Sequence, residues 1–347
     1  MKKIVFLAMV ALLILAGCGQ PGSTSRGVSQ PASSGLVAAN QRQSQAVPPA
    51  ASATLLPPAT SAPAAAASAA GKIPNFDHIV LIVLENEYLQ SVIGSAQMPN
   101  LNALAQKYVL LSNYSAVTHP SLPNYLALVS GSTQDITSDC NDCFVNQPNL
   151  ADEIETSGRT WKSYQESMPS ACFIGNTGQY AQFTNPFIYF DSIRLDAARC
   201  ERSIVPLTQL DTDLVANALP NFVFIMPDKC DSGHDCSAET ADGWLSNMVA
   251  KLQASPALGQ NSLIIVTFDE GVKRDTSIKT RGQVATLLIS PLAQAGFNDS
   301  NAYSHYSLLK TILVAWNLPD LGQTKLPSTA LIVAPWVVGA NDNSATP

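Results

Sequence analysis

Carboxylates and amides follow several short apolar runs in this chain, and one serine heads another apolar segment. Glu85 and Asn86 come after the run at 79–84, Asp228 comes after 222–226, and Asp269 with Glu270 comes after 263–266. Carboxylates gathered from separate segments repel one another unless protons or a cation neutralise them. A hard divalent ion is the economical partner for such an all-oxygen set. Ser121 lies in THPSLPNYLALVSG, residues 118–131. Pro123 suits the first turn of a helix, so Ser121 falls at a helix start, where backbone N–H groups and the helix dipole favour an anion. A serine hydroxyl is a weak nucleophile until a base or a metal activates it. Alone, Ser121 reads equally well as an N-cap; beside a metal site it reads as a nucleophile.

The elements that must position these groups are legible in outline. The runs 79–84, 222–226, 263–266 and 285–289 are rich in Ile, Val, Leu and Phe and do not alternate. That is the pattern of strands covered on both faces. Helical segments are expected at 100–108, 149–157, 207–218, 240–254 and 305–316. The alternation predicts an α/β fold, a three-layer sandwich around a mainly parallel sheet. In such a sheet the carboxyl ends of the strands form the ligand-binding edge, so three strands deliver oxygen ligands to one place.

The N-terminus carries a different message. Lys2 and Lys3 precede an apolar stretch at 4–15, too short to span a bilayer permanently, as in a signal peptide. The box Leu15-Ala16-Gly17-Cys18 resembles the lipobox of bacterial lipoproteins. The expectation is a signal peptide at 1–17 and a lipid on Cys18. Residues 18–72, built from Ala, Ser, Pro, Gln and Gly, form a disordered tether with a reach of roughly 40 Å. One catalytic domain at 73–339 and a short disordered tail at 340–347 complete the organisation. The product is an exported domain anchored to a bacterial membrane, at the periplasmic face or the cell surface.

The net charge is −7 and no basic run appears, which argues against a nucleic-acid partner. A monomer is expected. With Cys18 set aside, Cys140, Cys143, Cys172, Cys200, Cys230 and Cys236 remain. An even number in an exported protein reads as disulfides rather than as a zinc knuckle. Nearness in sequence suggests the pairs Cys140–Cys143, Cys172–Cys200 and Cys230–Cys236.

Four motifs in order carry a resemblance. They are Ile82-Val83-Leu84-Glu85-Asn86, the Ser121 segment, the stretch from Pro227 through Asp228, Asp231 and His234 to Asp235, and Thr267-Phe268-Asp269-Glu270-Gly271; the helix start at 305–312 agrees with them. Together they resemble the alkaline phosphatase superfamily, and within it the phosphoesterase family of bacterial acid phosphatases and non-specific phospholipases C. The resemblance implies a metal held by Glu85, Asn86, Ser121, Asp269 and Glu270. It implies a second metal or phosphate-binding group of Asp228, Asp231, His234 and His305. The site then holds one or two divalent ions, with Mg²⁺, Mn²⁺ or Ca²⁺ favoured over Zn²⁺ because the set lacks the imidazole that zinc prefers.

The implied reaction is hydrolysis of small phosphomonoesters through a phosphoseryl intermediate on Ser121. Asn124 is expected to hold phosphate oxygens, and His234 or His305 to protonate the leaving group. The alternatives are a phospholipase C or phosphodiesterase of the same family, and a lipoprotein that binds phosphate compounds without turnover. Two histidines stand outside this scheme: His119 could orient the Ser121 loop, and His78 has no assigned role. Thr184 stands where related sequences tend to carry His, which puts the rate and pH optimum in question.

Overall fold

The structure, a computed structural model, describes residues 72–271 and 282–337. The expected signal peptide, Cys18, the tether up to residue 71 and the tail lie outside the described residues. Among the described residues the strands are β1 (His78–Leu84), β2 (Val109–Leu111), β3 (Tyr114–Ser115), β4 (Trp161–Gln165), β5 (Ile204–Pro206), β6 (Phe222–Met226), β7 (Ser262–Phe268), β8 (Thr286–Ile289), β9 (Asn298–Asp299) and β10 (Tyr303–Ser304). The helices are α1 (Leu89–Val92), α2 (Pro99–Lys107), α3 (Ser121–Ser130), α4 (Leu150–Thr156), α5 (Asp191–Arg194), α6 (Ala197–Ser203), α7 (Thr208–Val215), α8 (Ala238–Ala254) and α9 (His305–Ala315).

Eight strands form one sheet in the order β5-β4-β6-β1-β7-β8-β2-β9. Neighbours run parallel except where β8 pairs with β7 and β2. The mainly parallel α/β architecture therefore stands, with the expected strand near 285–289 running against the rest. Strands β6, β7 and β8 are buried at every position, and β1 at all but its first. Both faces must then be covered by helices. Helix α3 packs on α9, and α2 packs on α8.

Registers put the chemistry on one edge. Leu84 pairs with Phe268, so Glu85 and Asp269 leave β1 and β7 side by side. Gln165 pairs with Met226, so Glu166 leaves β4 close to Asp228.

Local signals explain the helix boundaries. Asn149 caps α4 with a reciprocal capping box to Asp152. Asp242 of α8 accepts the N–H groups of Asn100 and Leu101 and so caps α2 from across the fold. Helix α3 is buried at all ten positions and ends at Gly131, whose φ of 70° is the left-handed conformation of a helix C-cap. A Cβ there would also strike the Leu321 carbonyl.

Strand β4 escaped the sequence pattern because its residues, WKSYQ, include buried polar groups. The fold satisfies most of them, Gln165 Oε1 being left without a partner. Gln165 donates to Ser163 at 2.8 Å, Tyr164 donates to Asp213 at 2.6 Å, and Lys162 pairs with Asp213. The six cysteines of the domain form the three expected disulfides, Cys140–Cys143, Cys172–Cys200 and Cys230–Cys236, leaving no thiols for a zinc knuckle.

Candidate active site

Ser121 is the first residue of α3 and is buried beneath the sheet edge. Its hydroxyl lies 3.5 Å from Glu85 Oε2 and also bonds to Asp269. Asn86 donates from Nδ2 to Glu85 Oε2 at 3.0 Å and from its backbone N–H to Asp269 Oδ1 at 3.1 Å. Its φ of 59° turns the chain sharply after β1, a conformation asparagine tolerates better than most residues. The fold thus brings Glu85, Asn86, Ser121 and Asp269 together from β1, α3 and β7.

The electrostatics are those of crowded anions. Glu85 is fully buried, and burial first, then the Asp269 carboxylate, push its pKa well above the usual range; Glu270 and Asp139 add to this. Burial likewise pushes Asp269 up to about 6. Asp269 Oδ2 is buried without a hydrogen-bond partner. An orphaned carboxylate oxygen among oxygen donors is what a divalent cation site requires, so the residues present fit such an ion.

Glu270 sits one step aside. Its Oε2 faces His119 Nδ1 at 2.8 Å and accepts from Asn124 Nδ2 at 3.3 Å. The expected phosphate-holding role of Asn124 needs correction. Its side chain is fully buried and shapes the loop before α3. Oδ1 accepts from Val117 and Thr118 N–H at 2.9 and 3.1 Å, and Nδ2 donates to the Thr118 and Pro120 carbonyls at 2.9 and 3.0 Å. With its donors and acceptor spent, Asn124 builds the Ser121 loop and has no group left for substrate.

The second group assembles differently from the expectation. Asp228 and Asp231 meet Glu166, with one carboxylate oxygen from each within 4.8 Å of the others. Asp228 Oδ1 accepts the N–H groups of Cys230 and Asp231, and Glu166 Oε2 accepts that of Asp228. Neither His234 nor His305 belongs to that cluster. His234 is exposed, pairs with Asp235 at 2.7 Å and lies beside the Phe183 ring.

His305 stands behind Asp269 instead, fully buried, with both ring nitrogens bonded. Burial lowers its pKa to about 4, so it is neutral at ordinary pH. A neutral ring with no free nitrogen cannot protonate a leaving group. Thr184 donates to the Ala181 carbonyl at 2.9 Å and closes its own turn.

Sequence reasoning missed three residues here. Tyr125, buried one turn after Ser121, donates to Glu85 Oε1 at 2.6 Å; its i+4 spacing from Ser121 was an available signal. Glu166 was hidden by the polar character of β4. Asp139 accepts the Leu122 N–H at 2.8 Å, a contact across the chain that leaves no local trace. His119, read from the sequence as able to orient the Ser121 loop, faces Glu270.

Comparison with known proteins places the chain in a family. The chain is 34% identical over 261 residues to a phosphate-repressible acid phosphatase of Penicillium chrysogenum, covering 72% of this chain and 61% of that protein. It therefore spans less than two thirds of that relative's length. It is 32% identical over 262 residues to a phosphatidylinositol-3-phosphatase of Mycobacterium tuberculosis, covering 73% of this chain and 81% of that one. A solved alkaline phosphatase superfamily protein from Vibrio parahaemolyticus shares the fold, with a TM-score of 0.52 at 11% identity over 74% of this chain and 72% of that one. Residues 94–319 match the profile of the Phosphoesterase family, and the chain belongs to that family.

Proposed function

We propose that this protein is a metal-dependent hydrolase of phosphoric esters that acts on phosphomonoesters through Ser121. The carrying observation is the meeting of a buried serine at a helix start with Glu85, Asn86 and Asp269, one oxygen of which is orphaned. A divalent cation held by Glu85, Asn86, Ser121 and Asp269, with Glu270 alongside, would lower the pKa of the serine hydroxyl and offset the charge of the attacking oxygen.

Ser121 Oγ attacks phosphorus and the bond to the leaving oxygen breaks. Water then cleaves the phosphoseryl ester and frees phosphate. Glu85 orients the hydroxyl, Tyr125 fixes Glu85, and the start of α3 supplies backbone donors to the phosphoryl oxygens. Asp228, Asp231 and Glu166 form a second acidic group on the same edge, which would hold a further cation.

The acid phosphatase and phosphatidylinositol-3-phosphatase names of the relatives support monoester cleavage. The second of these also favours a related reading, in which the monoester sits on an inositol lipid. Three disulfides support an oxidising compartment, and the lipobox-like segment ending at Cys18 supports a lipid anchor.

The test is a panel of p-nitrophenyl phosphate, bis-p-nitrophenyl phosphate, phosphatidylinositol 3-phosphate and phosphatidylcholine vesicles, with wild type and Ser121→Ala. Fastest turnover of a monoester, lost in the variant by about a thousandfold or more, supports the proposal. Faster turnover of the diester or of phosphatidylcholine replaces it with a phosphodiesterase or phospholipase C. Wild-type rates in the variant would remove the serine mechanism.

A further inference from the structure

The start of α3 already holds an anion, and that anion belongs to the protein. Asp139 Oδ1 accepts the Leu122 N–H at 2.8 Å. Leu122 follows Ser121 directly, so an oxygen bonded to this N–H lies beside the nucleophile. The same backbone donor is the natural partner for an oxygen of the group Ser121 attacks.

The negative charge of Asp139 is felt at Glu85 and at Asp269, where it opposes ionisation. A carboxylate placed among like charges and held by a backbone N–H is readily exchanged for a better anion. Its surroundings permit the exchange. The Asp139 side chain is exposed, whereas the backbone after it is pinned. Cys140 is bonded to Cys143, its carbonyl accepts the Tyr189 hydroxyl at 2.8 Å, and the Asn141 carbonyl accepts from Gln182 at 2.8 Å. The carboxylate can swing out while its loop stays in place.

We propose that Asp139 is a specificity-determining residue that occupies the phosphoryl subsite in the resting protein and is displaced by the substrate's phosphoryl oxygen. This deepens the phosphomonoesterase reading and rests on it. Every phosphate compound, product included, must compete with the internal carboxylate. Asp139 therefore sets the KM and limits product inhibition.

The experiment uses the purified full-length chain as wild type, Asp139→Asn and Asp139→Ala. It measures kcat and KM on p-nitrophenyl phosphate, the inhibition constant of inorganic phosphate, and Tm. The asparagine variant keeps an oxygen for the Leu122 N–H and loses only the charge, which guards against loss of the helix cap. Displacement predicts that KM and the phosphate inhibition constant fall together, by about three- to tenfold in the alanine variant, with asparagine in the same direction. Constants that stay within about twofold while Tm drops would make Asp139 a structural cap and overturn the proposal. Loss of kcat with KM unmoved would place Asp139 in the chemistry and overturn it too. Failure of the underlying reading looks different: the wild type then neither turns over the monoester nor binds inorganic phosphate.

Discussion

His305 holds Asp269 by its main chain. Because a carbonyl only accepts, the imidazole Nε2–H must donate to the Asp269 carbonyl, at 2.6 Å, and Nδ1 must accept the Tyr114 hydroxyl, at 3.0 Å. The neutral ring is thus a brace for the loop that carries two of the metal-binding candidates. Protonation would place a second N–H against the tyrosine oxygen in a buried site.

Stability should record that brace. The His305 pKa falls from 6.5 to about 4 in the folded chain, so between those values the unfolded chain binds a proton that the folded one refuses. Stability from this group is complete above pH 6.5 and is lost as pH falls toward 4, by about 3 kcal/mol. Asp269, pushed up to about 6, contributes with the opposite sign between its ordinary value and 6, so the comparison must be differential. Urea unfolding of the metal-free proteins from pH 4 to 7 should give a stability difference, wild type minus His305→Gln, that shrinks as pH falls, whatever the buried carboxyls common to both contribute. Parallel curves for the two proteins would refute the brace as the source.

Tyr125→Phe should weaken metal retention with little change in fold. The phenol O–H satisfies Glu85 Oε1 inside the core, and hydrogen bonds to a charged group contribute about 1.5–3 kcal/mol. Losing a partner that orients a ligand lowers metal affinity by about 10–100-fold. Calorimetric titration with Mn²⁺ measures this directly, and unchanged affinity would count against a metal on Glu85.

Metal removal should abolish turnover. After chelation, Mg²⁺, Mn²⁺ or Ca²⁺ should restore it better than Zn²⁺, since the donors are oxygens. Asp269→Asn should need more metal for half-maximal activity, because the carboxylate with the orphaned oxygen has lost its charge. Full activity in chelator contradicts the central mechanism.

Cys18 should carry lipid. Cells given labelled palmitate should label the wild type and leave Cys18→Ser unlabelled. Equal labelling would discard the anchor while leaving the catalytic reading intact.

The sequence alone determined what depends on local order and on covalent neighbours. Continuous apolar runs announced β1, β6, β7 and β8, since a strand buried on both faces has no polar side to show. Ser121 and Pro123 marked the start of α3, and the acidic groups after the strands marked the catalytic edge. Cysteines close in the chain found each other.

Only the tertiary structure decided what depends on contacts across the chain. Strand β4 is polar by composition and is buried with most of its polar groups bonded, to Asp213 and within the strand itself. Glu166 therefore joins Asp228 and Asp231 where His234 and His305 were expected. His305 and Asn124 carry reactive groups in the right motifs, but the fold spends their hydrogen bonds on the Asp269 carbonyl and on the loop at 117–120. Asp139 reaches Leu122 across 17 residues of chain. A motif records which groups are near in sequence, whereas packing decides which of their lone pairs and protons remain free. That remainder is what a substrate meets.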